Sequence, residues 1–395
     1  MKQRICLLLF IIFVLSSLLL EACNFSVQTL STPTSLEILP TSTSSAPIAM
    51  QLSISPTFTP PSSTEVLPSA TPTLISIRSD TIYMLETFMS VKQGEIVHAL
   101  AFTPDSMVLA SAGGNTEDFA IRLWDVASGQ NIGTLNGHDG IVWAVAFSLD
   151  GEMLASVSSD NTAKVWDWRK GTLLKSLDFP SEVVSVSFSP DGQSLAVGGV
   201  DEMQNQIRNA AIWTYAVGSW EPLVKFPEYW NITAMAYSPD GSMLVGGGTS
   251  RNVQVWRARD GSPVYTFSHA HQVGKAAISP NGSTVATATC ETVVNYDCTD
   301  GAVWLWDLST GRLIKKLTGF PNIVVDVTFS ADSSTLIVAS RDGTLRFYDT
   351  SAYQTLFDFT SPGGISTLTV SPDGGLLATG NVNGDVTIWK NVYHP

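Results

Sequence analysis

A chain of 395 residues that is 44% hydrophobic and 14% charged, with 11 Trp, has enough apolar surface for a large core and is not disordered throughout. At ~100–200 residues per domain it amounts to two or three ordinary domains unless repeats build one larger unit. Its 35 acidic residues against 21 basic ones leave a formal charge of -14, which repels a phosphate backbone and argues against nucleic acid as a partner.

The N-terminus reads Met1-Lys2-Gln3-Arg4 and continues from Ile5 to Leu20 in Leu, Ile, Phe and Val, interrupted mainly by Ser16 and Ser17. Sixteen helical residues at ~1.5 Å each span about 24 Å, short of the ~30 Å hydrocarbon core, so the segment reads as a signal peptide, with an uncleaved anchor as the alternative. Leu20-Glu21-Ala22-Cys23 resembles the lipobox of bacterial lipoproteins, although Glu21 departs from that pattern. The resemblance implies cleavage after residue 22 and a lipid on Cys23. From Asn24 to Leu74, 21 of 51 residues are Ser or Thr, eight are Pro, and only Glu37 and Glu65 are charged. Such a composition cannot bury enough surface to offset its chain entropy. We therefore expect a disordered linker over residues 23–81.

The rest of the chain repeats. Four turns read Ser189-Pro190-Asp191-Gly192, Ser238-Pro239-Asp240-Gly241, Ser279-Pro280-Asn281-Gly282 and Ser371-Pro372-Asp373-Gly374. Three degenerate copies begin at Thr103, Ser148 and Ser330, so successive spacings are 45, 41, 49, 41, 51 and 41 residues. Each turn lies between two short apolar strands, and a third strand ends in Trp124, Trp166, Trp213, Trp256, Trp306, Tyr348 or Trp389; three of these Trp precede Asp. This pattern resembles the WD-repeat β-propeller family over residues 82–395. The resemblance implies an all-β, seven-bladed propeller with a disordered N-terminal stalk. Only six residues follow Trp389, too few for another strand, so residues 82–91 are expected to complete the last blade and remove its open edge.

His138, Ser156 or Ser158, and Asp160 have the residue types of a nucleophile, a base and an orienting acid. An Asp six residues before the aromatic recurs as Asp118, Asp300 and Asp342, and a catalytic group would not recur. The family resemblance implies instead a buried hydrogen-bond chain through His138, Asp160 and Trp166. Among the other repeats only His269 takes the same histidine position, ten residues before its turn. No zinc-protease, phosphate-loop or calcium-loop motif is present, so neither metal nor cofactor is indicated.

With Cys6 in the signal peptide and Cys23 lipidated, Cys290 and Cys298 remain. They are expected to form a disulfide worth about 2.5 kcal/mol against local opening. They lie in an insertion between the second and third strands of the fifth repeat, and similar insertions occur at Ala112–Glu117 and Val200–Gln206. In this family that loop shares a face with the Gly-His loops. Aromatic residues there, Tyr229, Trp230, Phe320, Phe119 and Tyr296, are the candidate partner-binding set, since rigid aromatics dominate interface hot spots. The leading expectation is a monomeric, non-catalytic scaffold that binds proteins and is tethered by lipid outside the cytoplasm, at the cell surface or in the periplasm. The alternative is a propeller enzyme, hydrolase or lyase, or a ligand sensor that uses the central channel.

Overall fold

The computed structural model describes residues 77–78, 85–114, 117–204, 207–229, 232–248, 251–294 and 297–391. The signal segment, Cys23, Trp230 and Tyr296 lie outside them, as does the side chain of Tyr229. The described residues fall within the compact unit Leu74–Pro395.

Seven four-stranded antiparallel sheets follow one another along the chain. Blade 2 is representative, with strands Val142–Phe147, Met153–Ser158, Thr162–Asp167 and Thr172–Asp178 from inside to outside. The inner strands Val97–Phe102, Val142–Phe147, Val183–Phe188, Ile232–Tyr237, Val273–Ile278, Val324–Phe329 and Thr367–Val370 each pack on the next, and the last packs on the first. The ring is closed.

The apolar residues are divided among seven clusters, and each cluster joins two neighbouring blades. Ile121, Leu123 and Leu135 of blade 1 meet Leu154, Trp166 and Trp168 of blade 2, and Leu109 and Trp124 of blade 1 meet Ala378 and Ile388 of blade 7. Second strands such as Val108–Gly113 and Thr335–Ser340 are buried at every residue, because both faces of the sheet are covered. That is why they read as unbroken small or apolar runs instead of alternating ones. Outer strands such as Thr172–Asp178 are largely exposed.

Blade 7 takes its outer strand from the other end of the chain. Leu85–Lys92 pairs antiparallel with Asp385–Asn391, and Lys92 Nζ lies 2.7 Å from Asp385 Oδ1. The body also starts earlier than the expected boundary at residue 82. Ile77, placed by sequence in the linker, is 1% exposed, donates its N–H to the Gly374 carbonyl at 2.7 Å and packs with Phe347, Leu377 and Trp389 in the seam between blades 6 and 7. A single isoleucine in a Ser/Thr/Pro-rich stretch carries no periodic signal, so only the tertiary seam reveals it.

The seven turns share one geometry. In blade 2, Ser148 Oγ donates to Asp150 Oδ1, which also accepts the Glu152 N–H, while the Met153 N–H donates to Ser148 Oγ. Bonds from Ser148, Ser189 and Ser238 hold the carboxyls of Asp150, Asp191 and Asp240 below their ordinary range. These carboxylates are committed to local donors. The fourth position needs positive φ, supplied by Gly151, Gly192, Gly241, Gly282 and Gly374, whereas Ser106 and Ser333 adopt φ of 62° and 64°. Both serines compensate for that strain across a seam: Ser106 Oγ accepts the Asp373 N–H and Ser333 Oγ accepts the Asn281 N–H.

Closure predicts an asymmetric response to truncation. A chain beginning at residue 77 should melt like the full chain, whereas one beginning at Gln93 loses the fourth strand of blade 7 and should melt more than about 4 °C lower, equivalent to at least ~3 kcal/mol. Equal melting temperatures in a calorimeter would show that Leu85–Lys92 contributes nothing to the ring.

Candidate functional site

The most chemically suggestive cluster forms where the loop between blades 1 and 2 meets the turn after Ser158. Trp166 Nε1 donates to Ser156 Oγ at 2.9 Å, Ser156 Oγ is 2.7 Å from His138 Nε2, and His138 Nδ1 is 2.7 Å from Asp160 Oδ2. An indole only donates, so the hydroxyl proton goes to His138 Nε2 and the Nδ1 proton to Asp160. Asp160 Oδ2 also accepts the Asp139 N–H, and Oδ1 accepts both the N–H and the hydroxyl of Thr162. Burial acts to raise the Asp160 carboxyl, but the bonds from His138 and Thr162 outweigh it and hold the group well below its usual range. The distances are those of a catalytic triad, but the access is not. Ser156 is fully buried, the His138 side chain is 1% exposed, and the hydroxyl is already engaged by the Trp166 N–H.

The same register recurs in polar and apolar versions. In blade 1, Trp124 Nε1 donates to Ser111 Oγ, which donates to Gln93 Oε1. In blade 5, Trp306 Nε1 and His269 Nε2 both meet Thr287 Oγ1, at 3.1 and 2.8 Å. In blade 7, Trp389 donates to Thr379 Oγ1 at 2.9 Å. Blades 3 and 6 place Phe179 and Phe320 at the histidine position, with Val197 and Val338 at the hydroxyl position, all buried. Ring pairs replace hydrogen bonds there, as between Phe179 and Trp213 at 5.0 Å. Gln93, Ser111, Thr287 and Thr379 escaped the sequence reading, although a count of ten residues before and eight after the start of each turn finds them.

Phe320 is therefore not available to a partner. It is 0% exposed, packs against the blade 6 residues Leu336 and Tyr348, and is capped by the Arg346 guanidinium at 4.9 Å. Its position ten residues before Ser330 was the signal. Tyr229, expected from the sequence in the loop before the fourth repeat, ends the strand Pro222–Tyr229 and pairs with Asn209. Phe119 remains accessible: it is half-buried and lines a hollow of about 320 Å³ with Glu117, Asn136, Gly137 and Asp139.

The insertions in blades 3 and 5 are not loops. They lengthen hairpins to Ser194–Gln204 with Ile207–Ala216, and Thr284–Val294 with Asp297–Asp307. Cys290 and Cys298 are disulfide-bonded across the second hairpin, with Cα atoms 5.9 Å apart. Val293 and Val294 near its tip are 52% and 50% exposed.

Two perturbation experiments follow. His138→Ala and Phe320→Ala should both lower stability, by about 1–3 and 3–5 kcal/mol, because one strands buried polar partners and the other opens a cavity. Denaturant unfolding with either value below ~0.5 kcal/mol would contradict the burial described. Burial lowers His269 from 6.5 to about 4, against the opposing effect of backbone hydrogen bonds and the Glu291 charge. The unfolded chain then binds more protons between those values, so this contribution is complete above pH 6.5 and is lost as pH falls toward 4. His98, also lowered to about 4, has the same sign. Melting temperature should fall across that window, and His269→Gln should flatten the slope; an unchanged slope would remove His269 as a cause.

Residues 86–125, 129–167, 171–203, 220–257, 261–307, 311–349 and 353–390 match the family described as WD domain, G-beta repeat. The chain is 26% identical over 290 residues to Periodic tryptophan protein 2 of Arabidopsis thaliana, covering 69% of this chain and 30% of that protein. It is 24% identical over 302 residues to Eukaryotic translation initiation factor 3 subunit I of Drosophila sechellia, covering 70% of this chain and 91% of that protein. Seven matched repeats, six of which contain their blade's aromatic residue, place the chain in the WD domain, G-beta repeat family.

Proposed function

We propose that this propeller is a non-catalytic protein-interaction scaffold, exported and tethered outside the cytoplasm through a lipid on Cys23. One observation supports the scaffold reading most: the loop face presents a hollow beside Phe119 and Asp139 whose floor is rigid, because His138 and Asp160 pin the Gly137–Asp139 loop to blade 2. Rigid loops lose little entropy on binding. The cluster that resembles a hydrolytic site has no exposed hydroxyl, which argues against the enzyme alternative. A relative matched over 91% of its length is named as a subunit of a larger factor, in keeping with a role in assemblies. The tether rests on the charged start, the apolar run and the Ala22-Cys23 junction, together with a disulfide suited to an oxidising compartment.

Asp139→Lys and Phe119→Ala alter the hollow without touching the His138 network. With a partner captured by the exported chain, each should weaken binding about tenfold or more, or ~1.4 kcal/mol, at unchanged melting temperature. Full affinity in both variants would move the site off this face. Mass spectrometry of the mature chain should find Cys23 acylated at its N-terminus; an intact Met1 in the membrane fraction would reject cleavage.

A further inference from the structure

The six inner strands from blade 1 to blade 6 each carry a β-bulge at their second residue, where the register slips by one. The bulged residues are His98, Trp143, Val184, Thr233, Gly274 and Val325, all half-buried. At Gly274 a Cβ would meet nothing nearer than the Val324 carbonyl at 3.9 Å, so there is open space beside this position, whereas the equivalent Val325 packs against the cluster of blades 6 and 7. The bulges ring the channel at the end nearest the His138 loops.

Two of these residues carry ring nitrogens, and they are neighbours. The His98 and Trp143 rings lie 4.8 Å apart, tilted by 56°. His98 Nε2 and Trp143 Nε1 are both buried and have no hydrogen-bond partner among the described residues. With Nδ1 carrying the proton of the neutral His98 ring, Nε2 is left as an acceptor. Burial, aided by the Lys275 charge, keeps the ring neutral at neutral pH. One donor and one acceptor thus stand side by side at an aromatic face, and such orphans are rare in native proteins.

Charge selects the ligand class. Lys275, close enough to influence His98, lies 3.9 Å from Asp326 Oδ2, and that carboxylate also accepts from Thr367 Oγ1 and the Leu368 N–H. The pair has no net charge, and the whole chain carries -14, so an anion gains nothing here and the neutral imidazole offers a cation no counter-charge. A hydroxyl accepts and donates at once. We propose that the channel mouth at His98 and Trp143 binds a neutral polyhydroxyl ligand, a sugar ring, with one hydroxyl accepting from Trp143 Nε1–H and donating to His98 Nε2 while the C–H face of the ring lies on the indole. Both nitrogens are buried, so binding requires the Trp143 indole to turn as the ligand enters, and its resonance reports that movement. The proposal does not depend on the partner-binding reading.

Proton–nitrogen NMR of the full chain tests this, with Trp143→Phe identifying the Trp143 indole resonance. Titration with D-glucose, D-galactose and N-acetyl-D-glucosamine should move that resonance saturably for at least one sugar. His98→Phe keeps the ring and removes the acceptor, and should weaken binding at least about tenfold. Val184→Trp, which fills the ring beside Trp143 without changing either nitrogen, should abolish binding and serves if His98→Phe does not fold. No shift with any of the three sugars would leave the orphan pair to solvent alone and overturn the proposal. So would a shift that both variants retain, or a response to sodium acetate with all sugars silent.

Discussion

Every blade buries two faces, and neither face can be covered within the blade. Leu154 and Trp166 of blade 2 are covered by Ile121 and Leu123 of blade 1, while Ala155 and Val165 are covered by Val183 and Leu195 of blade 3. A blade on its own would expose both surfaces, so the energetic unit is the seam between blades. An open array would leave two terminal faces wet, which makes closure a requirement. Here closure depends on Leu85–Lys92, with Ile77 inserted one seam away.

The seams also explain why polar chains persist inside the molecule. In six of the seven blades the third strand carries a Trp near its end, and a buried indole N–H must be satisfied. Blades 1, 2, 5 and 7 answer with Ser111, Ser156, Thr287 and Thr379. In blades 1, 2 and 5 the next polar group is Gln93, His138 or His269. Where the hydroxyl is absent, as in blades 3 and 6, the partner residue becomes Phe. The two solutions are alternatives because a hydroxyl facing Phe would itself be orphaned, and a histidine facing Val would lose its bond.

The two ends of the propeller therefore differ chemically. At one end, turn carboxylates are committed to their own backbone and seal neighbouring blades through Ser106 and Ser333. At the other, rigidly held loops surround the Phe119 hollow, lengthened hairpins rise from blades 3 and 5, and the bulged inner strands turn His98 and Trp143 toward the axis. Groups such as Phe119 at this end have not been consumed by the fold, and the sites proposed above lie there for that reason.

Spacing in the sequence was enough to determine seven repeats and their turns, because each depends on local periodicity repeated at near-constant intervals, whereas the propeller, its closing strand and the pairing of His138 with Asp160 and Trp166 came through the family resemblance that those repeats carry. Cys290 and Cys298 were legible as the last even pair. Exposure was not. Phe320 and Phe119 are both aromatics near loops, yet one fills a seam beneath Arg346 and the other lines a hollow. Ile77 looks like linker and is core, and the insertions look like loops and are hairpins. The axis-facing pair was equally invisible, since His98 and Trp143 are 45 residues apart in sequence and meet only because a bulge in each of two adjacent strands aims them at the same space. Periodicity specifies which residues are equivalent, but what each one touches is decided by the neighbouring blade, and that contact exists only after the ring has closed.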